Sequence, residues 1–342
     1  MLEEVNYLVE WPTALCGKFE EKFLSLPKEC IITPMREHQR YFPVLDEDGN
    51  LLNKFITVRN GGSEHLDIVT HGNERVLRAR LSDAEFFFNE DRATKLEDRL
   101  EKLKTVSFQE GLGNMYDKSE RLVKMAEMLR FAINTPVDEE ELRRCALLCK
   151  TDLVTGMVIE FTELQGVMGR EYALLDGEKP EVATGIFEHY LPRFAGDALP
   201  ATTIGRIVGI GDKLDNICAT SAAACSYRFS GPYALRRQAL GVINILLDAN
   251  YHISLAKIIA GTLYLLDIKP EETGKLVPQI MEFFKQRLRN LLMDRVSVTT
   301  LSTQYLPINA TMMWLTLPHA AKLWLLMLKQ ATLSLWYRFP CA

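Results

Sequence analysis

Apolar and polar positions change rhythm along the chain. Over residues 31–60, short β-branched and aromatic runs (IITPM, RYFPVL and KFITV) predict strands, with DEDGN at 46–50 as a turn. An Asp-Gly pair between such runs is a hairpin signal. Residues 72–92, GNERVLRARLSDAEFFFNEDR, predict a charged helix with Val76, Leu77, Ala84 and Phe87 as an apolar stripe. Phe86, Phe87 and Phe88 are consecutive and cannot all face one core. Past Leu100 the period is helical nearly everywhere. Asp117 and Glu120 have capping-box spacing ahead of Leu122, Met125, Leu129 and Ile133. Asp138 and Glu141 repeat that signal ahead of Leu142, Cys145, Cys149 and Leu153, and Pro180 suits a first helical position. IGRIVGIGDKLDNI after Pro200 and ALRRQALGVINILL predict two more helices.

Composition narrows the class. With 47% hydrophobic and 25% charged residues in 342, the chain is neither disordered, collagen-like nor a disulfide scaffold, and it can bury a sizeable core. The net charge of −5 means that a polyanion must be met by a local basic patch. Seven scattered cysteines without a CxxC predict reduced, mostly buried thiols in a cytoplasmic protein. The first ten residues carry Glu3, Glu4 and Glu10 and no basic lead into an apolar core, so no secretory or transit signal is expected.

Residues 296–342 break the pattern. All 45 acidic residues precede them, yet they hold three of the 4 tryptophans (Trp314, Trp324, Trp336) and the cations Lys322, Lys329 and Arg338. A membrane or partner helix around 311–328 is one reading, but Pro318, His319 and Lys322 interrupt its apolar run. The favoured expectation is a shifted reading frame.

Among motifs, GIGDKLD (209–215) has no strand before it and no GK[ST] after it, so it is no phosphate loop. ALLCKTDL (146–153), EHY (188–190) and GIGDKLD fall on successive predicted helices. Their order resembles the HD-domain phosphohydrolases, in which a His, a His-Asp pair and a later Asp hold a divalent metal. Cys149 and Lys150 stand where that pair is expected, with His189 and Asp212 at the other matching positions. A lysine ammonium adds positive charge and no lone pair, so this degenerate set is not expected to bind a metal.

Five longer segments then match in register: MREHQRYFPVLDEDGNLL (35–52), GNERVLRARLSDAEFFFNEDR (72–92), FQEGLGNMYDKSERL (108–122), EFTELQGVMGREYA (160–173) and EHYLPRFAGDALP (188–200). With GDKLDNI and YALRRQALG, they resemble the beta subunit of the bacterial heterotetrameric glycyl-tRNA synthetase over roughly residues 1–295. The resemblance implies a tRNA-recognising, non-catalytic role with no cofactor in this chain. ATP and Mg²⁺ would serve an alpha subunit that attaches glycine to tRNA(Gly) within an alpha2beta2 tetramer, in the cytoplasm and away from membranes.

The matched motifs leave out the family's long N-terminal part and its C-terminal helical and anticodon-binding region, which this chain is therefore expected to lack. The chain departs from the family at SAAACSYRFSGPYALRR, where a Gly-rich stretch is usual. The competing expectations are an HD-type metal-dependent phosphohydrolase and an inactive truncated gene product.

The expected fold is mainly α with a smaller α/β part. A mixed α/β piece (1–104) precedes a degenerate HD-like helical domain (105–295) and the atypical tail (296–342). Candidate phosphate-neutralising residues are Arg36, Arg40, Arg75, Arg78, Arg80, Arg193, Arg236 and Arg237. The competing reading for each is a solvated face with weak ion pairs.

Overall fold

The computed structural model describes residues 1–109, 111–223 and 234–299. The stretch 224–233 and the acid-free tail from residue 300 onward lie outside the described residues, and with them the predicted 311–328 helix. In the described residues the protein is mainly helical with one three-stranded antiparallel sheet, as the sequence predicts.

The helices are α1 (Leu2–Leu8), α2 (Lys28–Thr33), α3 (Leu66–Asp91), α4 (Met115–Ile133), α5 (Glu139–Leu148) and α6 (Gly156–Glu160). They continue as α7 (Val167–Leu175), α8 (Pro180–Glu188), α9 (Thr203–Ala223), α10 (Leu235–Asp248), α11 (Leu255–Leu265) and α12 (Pro270–Thr299). The strands are β1 (Pro12–Lys18), β2 (Phe42–Leu45) and β3 (Leu51–Asn60), in the order β1-β3-β2.

The chain divides into two compact units. The first joins Met1–Val106 to Leu148–Phe187, and the second joins Ser107–Leu147 to the chain from Glu188 onward. Residues Leu148–Phe187 therefore group with the N-terminal segment and not with the helices that flank them in sequence.

In the first unit the hairpin forms as expected, with Asp46 accepting backbone N–H bonds from Asp48 (3.0 Å) and Asn50 (2.7 Å). IITPM is not a strand: Ile31 and Met35, four apart, are both buried, and the segment continues from α2 into a wider helical turn over Pro34–Gln39. Burial at i and i+4 overrides the local β preference of Ile and Thr. The third strand is β1, which pairs along its whole length with β3, from Pro12↔Asn60 to Lys18↔Lys54. Gly17 in β1 lies directly over the buried Phe55 ring, where a Cβ would come within 2.4 Å of the ring. The buried stripe of α3 is Leu77, Leu81, Ala84 and Phe88, spaced i, i+4, i+7 and i+11. Val76, 44% exposed, is not part of it, and of the three consecutive phenylalanines only Phe88 is buried.

In the second unit the capping box of α4 starts three residues earlier than Asp117. Asn114 is the cap, accepting from Asp117 N at 3.0 Å, and Asp117 reaches back to Asn114 N at 3.0 Å. Asp138 does cap α5, through Glu141 N at 2.9 Å. Helix α9 is buried almost all round and packs against α4, α10, α11 and α12. Gly209 permits this, since a Cβ there would sit 3.1 Å from the His189 carbonyl oxygen. No helix of the described residues is long and apolar enough to cross a membrane.

Candidate functional site

The first chemistry-bearing cluster lies between α4 and α9. Lys118 and Arg121 are i, i+3 on α4, and Asp212 and Asp215 are i, i+3 on α9, so two cations face two carboxylates. The Lys118 ammonium lies 3.0 Å from Asp212 Oδ1, 2.9 Å from Asp215 Oδ2 and 2.8 Å from Asn216 Oδ1. Arg121 holds Asp215 with two bonds, at 3.0 and 3.2 Å. The Phe108 ring lies 4.5 Å from the Lys118 ammonium and 5.3 Å from the Arg121 guanidinium. Burial alone would lower the lysine pKa, but Asp212 and Asp215 outweigh it and hold Lys118 above its usual value.

These residues do not fit a divalent metal. Three oxygen acceptors converge on one point, the donor type that a hard cation requires, and the Lys118 ammonium occupies it. The other matching positions are buried too. Cys149 and Lys150 belong to the first unit, and His189 and Asp212 to the second. Among the described residues no group of three His, Cys, Asp or Glu side chains could hold a metal ion. Of the described cysteines, Cys30, Cys145, Cys149 and Cys218 are buried free thiols, whereas Cys16 is exposed. Burial pushes the Cys30 thiol up to about 12, aided by Glu29 and Glu171.

The candidate arginines separate into three places. Arg36 pairs with Glu37 at 2.8 Å, and Arg40 pairs with Glu4 at 2.9 Å while donating to the Arg36 carbonyl. Along α3, Arg78 pairs with Glu20 at 2.5 Å and Arg80 with Glu160 at 3.3 Å. Arg75 is exposed in a shallow groove beside Val76 and Asp83, without an ion pair among the described residues. In the second unit Arg193 and Arg237 come together, because Arg237 at the start of α10 donates to the Arg193 carbonyl at 3.1 Å, with Arg236 beside it in sequence. Arg287 of α12 lies within reach of the Arg236 charge. Burial first, and repulsion from Arg236 second, hold its guanidinium below the usual value.

A model of the family described as glycyl-tRNA synthetase beta subunit matches residues 1–304. The chain belongs to that family. The match runs past residue 295, where the motif resemblance stops. The glycine–tRNA ligase beta subunit of Desulforamulus reducens is 50% identical over 301 residues, covering 86% of this chain and 43% of that protein. Those of Geobacter sulfurreducens (50% over 297 residues) and Clostridioides difficile (51% over 298) cover the same shares. The chain thus spans less than half the length of these beta-subunit relatives.

Sequence reasoning about this glycyl-tRNA synthetase beta-subunit chain singled out Lys150 but missed Lys118, Arg121 and Asp215. The signal was present as matched i, i+3 spacings of opposite charge on two predicted helices. It also missed Asp152, in the turn Thr151–Val154, which is fully buried and accepts from Gly166 N at 2.5 Å. Burial raises its carboxyl from 3.8 to about 6, against the opposing pull of Gly166 N–H and Lys150. The folded state therefore holds this proton more tightly than the unfolded chain does. The cost of ionising it is fully present above pH 6 and gone below 3.8. Relative to Asp152→Asn, the wild-type chain is expected to gain roughly 2 kcal/mol between pH 7 and pH 4. Urea unfolding of both proteins across that range measures it, and a flat difference would refute it.

Proposed function

We propose that this chain is a tRNA-recognising, non-catalytic part of a glycine–tRNA ligase beta subunit. In this reading it supports ATP-dependent attachment of glycine to tRNA(Gly) by an alpha subunit, with ATP and Mg²⁺ acting through that partner. The assembly is an alpha2beta2 tetramer and the compartment is the cytoplasm. The observation that carries the reading is about half identity over 86% of the chain to proteins named as that beta subunit. The structure adds support, since the Lys118 ammonium stands between Asp212 and Asp215 of α9 and Arg121 pairs with Asp215, cations where a metal would have to sit. That placement also disfavours a metal-dependent phosphohydrolase.

Pyrophosphate exchange tests the reading. The chain alone is expected to give no glycine-dependent exchange of pyrophosphate into ATP, while binding tRNA(Gly) with an affinity that falls as salt rises. Exchange by the chain alone, or indifference to tRNA at low salt, would each defeat the proposal.

A further inference from the structure

Phe194 is a large apolar ring left 55% exposed, on a loop whose backbone is tied down along its length. Where the loop leaves α8, the buried Glu188 carboxylate accepts from Ala201 N (2.9 Å), Thr202 N (3.0 Å) and Thr202 Oγ1 (2.5 Å). The buried Lys213 ammonium donates to the carbonyls of His189 (2.9 Å) and Leu191 (2.8 Å). Asp197 accepts the Arg193 backbone N–H at 2.8 Å and its guanidinium at 2.9 and 3.3 Å. Gly196, at φ +84°, supplies the left-handed step inside that closure. Arg237 then binds the Arg193 carbonyl from α10. Charge-assisted bonds of this kind are the stronger ones, so the ring is presented on a fixed backbone.

The Arg193 guanidinium lies 5.8 Å from the ring centroid and is paired with Asp197, while Arg237 donates to the loop at the Arg193 carbonyl and Arg236 precedes it on α10. Arginine and aromatic side chains are enriched in protein interfaces as well, but with tRNA as the partner in the proposed function this pairing offers an aromatic face for a base and guanidiniums for its phosphates. Bases in a duplex are already stacked on each other, so an isolated ring can take only an unpaired base.

We infer that Phe194 is a stacking platform for one unpaired nucleotide of an RNA, with Arg236 and Arg237 meeting the adjoining phosphates. The inference rests on the tRNA-recognition reading and deepens it by naming the single-stranded nucleotide as the moiety bound.

The test uses the full 342-residue chain, a short single-stranded RNA carrying 2-aminopurine, and a tRNA(Gly) transcript. Protein binding is expected to quench the 2-aminopurine by stacking. Phe194→Ala is expected to abolish the quench and weaken oligonucleotide binding roughly 5- to 150-fold, while Phe194→Tyr retains both. Because Phe194 is exposed, thermal melting of the variants should match the wild type, which separates lost stacking from lost folding. Arg236→Ala should weaken binding to all sequences and lower the salt slope by about 1. If Phe194→Ala binds tRNA(Gly) as tightly as wild type and no quench is seen, stacking is wrong while tRNA recognition stands. If the wild-type chain binds neither RNA, both readings fall. If Phe194→Ala keeps RNA affinity but loses binding to a purified alpha subunit, the ring is a protein contact and the inference is overturned.

Discussion

Replacing Lys118 with methionine is expected to destabilise the second unit by roughly 3–5 kcal/mol. The ammonium is buried and faces Asp212 and Asp215 at 3.0 and 2.9 Å. Methionine fills the volume but leaves two carboxylates in a water-poor site with the Arg121 guanidinium between α4 and α9 to offset them. Removing one partner of a buried pair costs far more than the pair is worth as a whole, because the remaining charge has lost both water and counter-charge. Beside a total stability of roughly 5–15 kcal/mol this is severe. Urea denaturation gives the loss, and a double-mutant cycle with Asp215→Asn should return a coupling of about 1–3 kcal/mol. A loss below about 1 kcal/mol would mean that the network is solvated and weak.

The first unit has a matching hub at Asp91, near the end of α3. Its carboxylate accepts from Gly156 N (2.8 Å), Met157 N (2.9 Å) and Tyr172 Oη (3.0 Å), and pairs with the buried Arg99 at 3.3 Å. Asp91 thus serves as an anionic cap on α6 from a different helix. Burial first, and Asp91 second, push the Tyr172 hydroxyl pKa well up, so it remains a donor. Asp91→Ala strands two backbone N–H groups, a phenol and a guanidinium at once. A loss on the order of 3–5 kcal/mol is expected. Asp91→Asn keeps one acceptor oxygen and should lose less than half as much. Equal melting temperatures for wild type and Asp91→Ala would remove Asp91 as an organising residue.

Local signals made much of the fold legible. The 46–50 turn, Asp138 as a cap, Pro180 at a helix start and the apolar period of α9 and α10 are each written within a few residues of one another. What was hidden needed a partner distant in sequence. β1, with Ala14, Cys16 and Gly17, has little strand propensity of its own and exists because β3 pairs with it. α2 is helical because Ile31 and Met35 both find a core, against the preference of their neighbours. The charged network follows the same rule: the cations lie on α4 and the carboxylates they meet lie on α9, with a sequence separation of 94 from Arg121 to Asp215. The eight candidate arginines were visible as charges, but their sorting was not. Arg78 and Arg80 turn out to be paired with Glu20 and Glu160, while Arg193 and Arg237 converge.

The route of the chain through its two units has a consequence for synthesis. A ribosome delivers residues in order, yet the first unit stops at Val106 and resumes only with Leu148–Phe187. At roughly 5–20 residues per second, the 81 residues between Val106 and Phe187 take about 4–16 s to translate. Through that interval Asp91 waits for the α6 N–H groups it will cap, and Cys30 for Met168, whose sulfur it reaches at 3.3 Å. The nascent chain must carry an open apolar face past the whole of α4 before the piece that covers it has been made. Holding that face away from neighbouring polysome products is a task for chaperones, and it is set by the order of segments and not by the stability of the finished protein.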